Sequence, residues 1–178
     1  GMSSAPPVTI VLIGLNAVIF FTTVAWGFLQ SEAAILRAGA LSRDLVFQGE
    51  VWRLLSAMFL HGSVEHLFGN GIGLFILGMA AEHAYGKLEM ARVYLISGLA
   101  GSVLSVVVNP GPAVGASGAI FGLLGAMIVF FLKYHDSFHL RDKRIGNVLH
   151  MWAAYSIVTA YFIPFVDNAA HAGGLIGG

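Results

Sequence analysis

The stretch Gly115-Ala116-Ser117-Gly118-Ala119-Ile120-Phe121-Gly122 carries a hydroxyl from a loop into a long apolar run. A second polar group, His171, opens the last apolar run, in Ala170-His171-Ala172-Gly173-Gly174. Both are flanked by small residues, which allow helix backbones to approach closely in a membrane. Working outward from Ser117, the segment behaves as a span. About 20 apolar residues are needed to cross a hydrocarbon core of about 30 Å, and 116–132 supplies such a run.

Four further runs match that length. They cover Val8 to Leu29, Val64 to Ala84, Met90 to Val108, and Val148 to Phe165. A sixth begins near Asn168 and stops at Gly178, a length worth about 16 Å of helix; the expectation is a truncated last helix. The expected fold is therefore all-α, a polytopic bundle of six transmembrane helices in one domain over residues 1–178. Between the first two spans, residues 31–60 mix Glu32, Arg37, Arg43, Asp44, Glu50 and Arg53 with Leu45, Val46, Phe47, Trp52 and Leu54. That mixture reads as an ordered interfacial loop with short amphipathic pieces.

Composition supports the same class. The chain is 57% hydrophobic and 10% charged, against about a quarter charged in soluble domains. Nine basic and nine acidic residues cancel, so no nucleic-acid surface is expected. Without cysteine, disulfides, zinc-thiolate sites and thiol catalysis are excluded.

Loop charge sets an expected orientation. Lys87 and Arg92 flank the second connection between spans, and Lys133, Arg141, Lys143 and Arg144 occupy the fourth. The connections after the third and fifth spans carry no Lys or Arg. The N-terminus is thus expected in the cytoplasm, against a mild counter-signal from three Arg in the first loop. Ser117, His171, His66 and Asn70 then all lie near the outer ends of inward-running spans, at one depth.

A serine hydroxyl becomes a nucleophile when a base takes its proton, and neutral His is the usual base. The N–H groups of Ser117 and Gly118 open a helix, where developing negative charge is favoured. His66 and Asn70, at i and i+4, share one helix face, and the Asn70 amide is a candidate oxyanion donor. Gly118, Gly122 and Ala126 on one span, and Ala170, Gly174 and Gly178 on another, offer small faces for close packing. Phe121, one turn below Ser117, is placed to stack on the His171 ring. No carboxylate falls at this depth as a third member, so the pattern reads as a dyad. Proton relay, metal binding and a satisfied core histidine compete for a lone intramembrane His. His83, His135, His139 and His150 fall at the cytoplasmic ends and do not converge with His66 and His171, so no metal site is expected.

Together these residues resemble the rhomboid family of intramembrane serine proteases. The matching motifs are Trp52-Arg53, His61 with His66-x-x-x-Asn70, Glu82-x-x-x-Gly86, Tyr94-Leu95-x-Ser97-Gly98, Gly115-Ala116-Ser117-Gly118 and Ala170-His171-x-Gly173-Gly174. They run in order from about Glu50 to the end. The resemblance implies a Ser117–His171 dyad hydrolysing peptide bonds in or near transmembrane segments of membrane proteins. It also implies oxyanion stabilisation by His66, Asn70 and the Ser117 N–H, and a first loop, carrying Trp52 and Arg53, partly embedded in the outer leaflet. Substrate access is implied between the second and fifth spans, past Phe68, Trp152 and Tyr155, beneath a cap at Pro164 to Asn168. Phe121 stands where some members carry Tyr. No cofactor is implied; the partners are substrates in the lipid bilayer. A multi-pass protein of a bacterial inner membrane, its site opening outward, is the expected setting, and the sequence carries no signal of oligomeric state. The alternatives are an inactive rhomboid-like protein that binds membrane clients, and a small-solute transporter, which would need paired broken helices not evident here.

Overall fold

A computed structural model describes residues 5–134 and 168–178. Among these residues the regular structure is helical. Four helices are long and apolar enough to cross a membrane: α1 (Pro7–Ala25), α5 (Val64–Tyr85), α6 (Lys87–Val108) and α7 (Ser117–Tyr134). Three short helices lie between α1 and α5, namely α2 (Glu32–Ala38), α3 (Arg43–Phe47) and α4 (Arg53–Ser56), followed by a 3-10 turn at Ala57–Phe59. The last helix, α8, spans Asn168–Gly177. The expected fifth span at 148–165 lies outside the described residues.

Two boundaries differ from expectation for local reasons. The first helix ends at Ala25, not Leu29, because Gly27 adopts φ +73° and folds the chain back, with the Phe28 N–H on the Thr23 carbonyl. The third span begins at Lys87. Gly86 alone separates α5 from α6, at φ +86°, a backbone region costly for residues with a Cβ.

Polar side chains inside the apolar helices are used to fasten one helix to another. The Glu82 carboxylate near the end of α5 accepts from Val8 N (3.0 Å), Thr9 N (3.0 Å) and Thr9 Oγ1 (2.8 Å). It thereby supplies the N-terminal cap that Pro6 cannot. A Cβ on Gly78 would lie 2.9 Å from Thr9, so α1 and α5 meet closely at this end. Further along α1, buried Asn16 donates to the Tyr94 hydroxyl of α6 at 3.4 Å.

The connection between α1 and α5 is built from short helices joined by polar contacts. Arg53 is buried. Its guanidinium donates to the Leu36 carbonyl, to the Ala40 carbonyl (2.8 Å) and to Glu50 Oε2 (2.6 Å), closing the C-terminus of α2. Trp52 lies over the Arg53 guanidinium, 4.6 Å from ring centroid to Cζ. Phe47, Val51, Trp52 and Leu55 remain exposed on this loop, an apolar surface suited to the bilayer interface. Arg43 reaches across to the Val106 and Val107 carbonyls, both at 2.7 Å, and satisfies the end of α6.

Helix α7 is the centre, buried from Ser117 to Met127. Helices in lipid gain little from hydrophobic burial, so close approach of small residues must hold them together. A Cβ on Gly174 would overlap the Gly118 carbonyl, and one on Gly178 the Gly122 carbonyl. The equal offset of the two pairs makes α7 and α8 parallel. On its other side α8 meets α6, where a Cβ on Gly173 would lie 2.9 Å from Gly101 Cα.

Candidate active site

Ser117 is the first residue of α7. The segment leading to it is held by the first loop. Leu41 and Ala113 exchange backbone bonds of 2.9 and 3.1 Å, and Gly115 N donates to the Ala57 carbonyl at 2.9 Å. Gly115 sits at φ +127°, and a Cβ there would lie 2.8 Å from both Cε1 and Nε2 of His66. Only glycine fits both the conformation and the space. This turn carries the chain across the His66 and Asn70 side chains just before Ser117. In the first turn of α7 the Ile120 N–H donates to the Ala116 carbonyl at 3.0 Å, so the N–H groups of Ser117 and Gly118 belong to the helix start, where the positive dipole end lies.

His66 enters from the first turn of α5, which Ser63 caps by accepting from His66 N at 3.1 Å. Its ring is buried, and among the described residues neither ring nitrogen has a hydrogen-bond partner. An unpaired buried imidazole costs stability, and this one faces the turn before Ser117. His61, in the loop ahead of α5, stacks edge-on against it at 5.0 Å. Asn70, one turn beyond His66, has its Nδ2 3.0 Å from His61 Nε2. Burial, with the neighbouring His66 adding to it, holds the His61 pKa down to about 3, against an opposing contribution from the Phe59 backbone. His61 is therefore neutral in this setting.

The expected residues are thus distributed unequally. His61, His66, Asn70 and Gly115 converge just ahead of Ser117 in the chain. Gly118 contacts Gly174 directly, and Phe121 is buried one turn from Ser117. His171 lies on α8, one turn before Gly174. Trp52 and Arg53 are away from this cluster and shape the first loop. Phe68 is exposed on α5, while Trp152, Tyr155 and most of the cap at 164–168 lie outside the described residues.

Two features were not legible in the sequence. A cavity of about 20 Å³ beside Ser117 is lined in part by Ser102 and Ser105 of α6, room for about one water. Their spacing on an apolar helix was the available signal. A groove of about 660 Å³ runs between α1 and α5, past Phe21 and Phe68, and reaches His61, Asn70 and Ala116. It arises because the two helices touch near Gly78 and diverge toward the other end, a crossing that residue patterns do not encode.

A family model described as Rhomboid domain matches residues 48–178. Over 173 residues the chain is 35% identical to "Rhomboid protease GluP" of Bacillus subtilis, covering 97% of this chain and 34% of that protein. It is 38% identical to "RHOMBOID-like protein 5" of Arabidopsis thaliana, covering 83% of this chain and 48% of the relative. It is also 31% identical to "Inactive RHOMBOID-like protein 8" of Arabidopsis thaliana, over 82% of this chain and 42% of the relative. The chain spans about a third to a half of the length of these curated relatives. With apolar helices able to cross a membrane several times and a match covering α5 to α8, this chain is an integral membrane protein that belongs to the rhomboid family.

Proposed function

We propose that this chain is an intramembrane serine endopeptidase using a Ser117–His171 dyad. The observation that carries the reading is the parallel contact of α7 and α8 at Gly118 and Gly174. It sets the turns bearing Ser117 and His171 side by side, with His66 and Asn70 gathered against Gly115 next to them. His171 takes the proton of Ser117 Oγ as the hydroxyl attacks the scissile carbonyl. The oxyanion is received by the N–H groups of Ser117 and Gly118, by the Asn70 amide and by His66. His171 returns the proton to the leaving amine, and a water then hydrolyses the acyl-enzyme. The hydroxyl-lined cavity beside Ser117 is one place for that water.

The reading includes six spans in a single domain over 1–178, with 148–165 as the fifth. By loop charge the N-terminus is cytoplasmic and the site opens outward; a bacterial inner membrane is the proposed setting. Substrates are transmembrane proteins cleaved near the outer leaflet, approaching between α5 and the fifth span.

Labelling with a serine-directed fluorophosphonate tests this, comparing wild type with Ser117→Ala and His171→Ala. The wild type should label and both variants should lose labelling; equal labelling of all three would sink the reading. A relative named inactive motivates a second reading, a client-binding protein without hydrolysis. A liposome cleavage assay on a panel of single-span substrates, with Ser117→Ala as control, separates the two.

A further inference from the structure

We infer that His61 is a positioning residue that fixes the Asn70 carboxamide with one N–H on His61 and the other presented to the oxyanion. The inference rests on the protease reading above and assigns His61 a role within it. Two observations meet at Asn70 Nδ2, and a third concerns His61. It lies 3.0 Å from His61 Nε2. It also lies 3.6 Å from the place a Gly115 Cβ would occupy, beside the turn that delivers Ser117. His61 itself is buried, 1% exposed, and hemmed by the His66 ring.

A carboxamide nitrogen donates and cannot accept, so His61 Nε2 accepts and the neutral ring carries its proton on Nδ1. An NH2 group has two hydrogens. One is held by His61, and the other remains on the Gly115 side. A terminal carboxamide torsion is broad and roughly two-fold, so without this bond Asn70 would also present Oδ1. An oxygen lone pair facing a developing oxyanion repels it. His61 excludes that orientation, and it does so without touching substrate. The rigid loop position matters: His61 precedes the Ser63 cap of α5 and cannot follow Asn70 if the amide turns.

The test is cleavage kinetics in proteoliposomes for wild type, His61→Phe, His61→Gln, Asn70→Ala and the double variant His61→Phe/Asn70→Ala. Losing an oxyanion donor outright costs roughly 100- to 1,000-fold in kcat, so losing only its orientation should cost His61→Phe about ten-fold, with KM unchanged. His61→Gln, which keeps an acceptor, should recover most of the rate. Adding His61→Phe to Asn70→Ala should cost nothing further. An equal loss in both backgrounds, or a His61→Gln as impaired as His61→Phe, overturns the inference. Should His61→Phe fail to fold, nitrogen-15 NMR of labelled histidine decides without it. Wild type should show His61 protonated on Nδ1, with an Nε2 resonance that moves in Asn70→Ala; a protonated Nε2, or no movement, overturns it. Absence of cleavage by wild type strikes the protease reading instead, and the NMR result still stands on its own.

Discussion

Gly174 of α8 presses so closely on Gly118 of α7 that a Cβ on Gly174 would overlap the Gly118 carbonyl. That contact brings together the two turns on which Ser117 and His171 lie. Gly174→Ala should therefore force the helices apart, costing about 1–3 kcal/mol or more by overpacking, with activity falling faster than thermal stability. Gly69→Ala, where a Cβ meets nothing within 4 Å, is the matched control and should be near neutral. Parallel thermal unfolding and cleavage assays decide it, and equal behaviour of the two variants would refute the contact.

Glu82 caps α1 from the far end of α5. Glu82→Ala leaves the Val8 and Thr9 N–H groups and the Thr9 hydroxyl without their acceptor, at a cost of about 1–3 kcal/mol. Thr9→Val removes one of the three bonds and should cost less. Because both act on one cluster, the double variant should lose less than the sum of the single losses, measured by unfolding in mixed micelles.

Arg53→Lys is not conservative here. A point-charge ammonium cannot reproduce a fork that serves Leu36, Ala40 and Glu50 together. A loss of about 2–3 kcal/mol is expected, with proteolysis of the first loop accelerated. Glu50→Gln should cost less, since the Glu50 side chain is 40% exposed. Protection of Arg53→Lys from limited proteolysis equal to that of wild type would count against this role.

The folded pKa of His61, about 3, lies below the ordinary 6.5. As pH falls the unfolded chain takes up this proton first, so the contribution to stability is full above about 6.5 and is lost toward about 3. Between pH 7.5 and 5, the melting temperature of wild type should fall more steeply than that of His61→Gln. Parallel curves would show that His61 does not carry the difference.

Phe68, exposed on α5, stands on the proposed access route between α5 and the fifth span. Phe68→Ala and Trp152→Ala should each speed cleavage if bulky side chains gate that route. Phe21→Ala probes the opposite wall of the α1–α5 groove and should leave the rate unchanged. Acceleration by Phe21→Ala alone would move the route to that groove.

Much of this architecture was legible from residue order. Predominantly apolar runs located α5 and α7 within two residues at each end, because a span must satisfy its backbone internally and must be about 20 residues long. The end of α1 was overrun because Trp26 to Leu29 are apolar in composition, while the turn depends on the left-handed conformation of Gly27. The i, i+4 spacing put His66 and Asn70 on one face, and small residues four apart marked the faces on which α7 and α8 meet.

The sequence by itself determined the class of the protein, the order of the described spans, the family motifs and the candidates Ser117, His171, His66 and Asn70. Those follow from local length, periodicity and chemistry. Only the tertiary structure decided which polar groups meet. The Gly115 turn against His66, the His61–Asn70 bond, the Arg53 fork and the Glu82 cap each join residues through three-dimensional packing, and the Glu82 cap spans more than seventy positions of the chain. No residue pattern carries such pairings, because they depend on where rigid helices cross and on backbone angles that glycine permits but does not dictate.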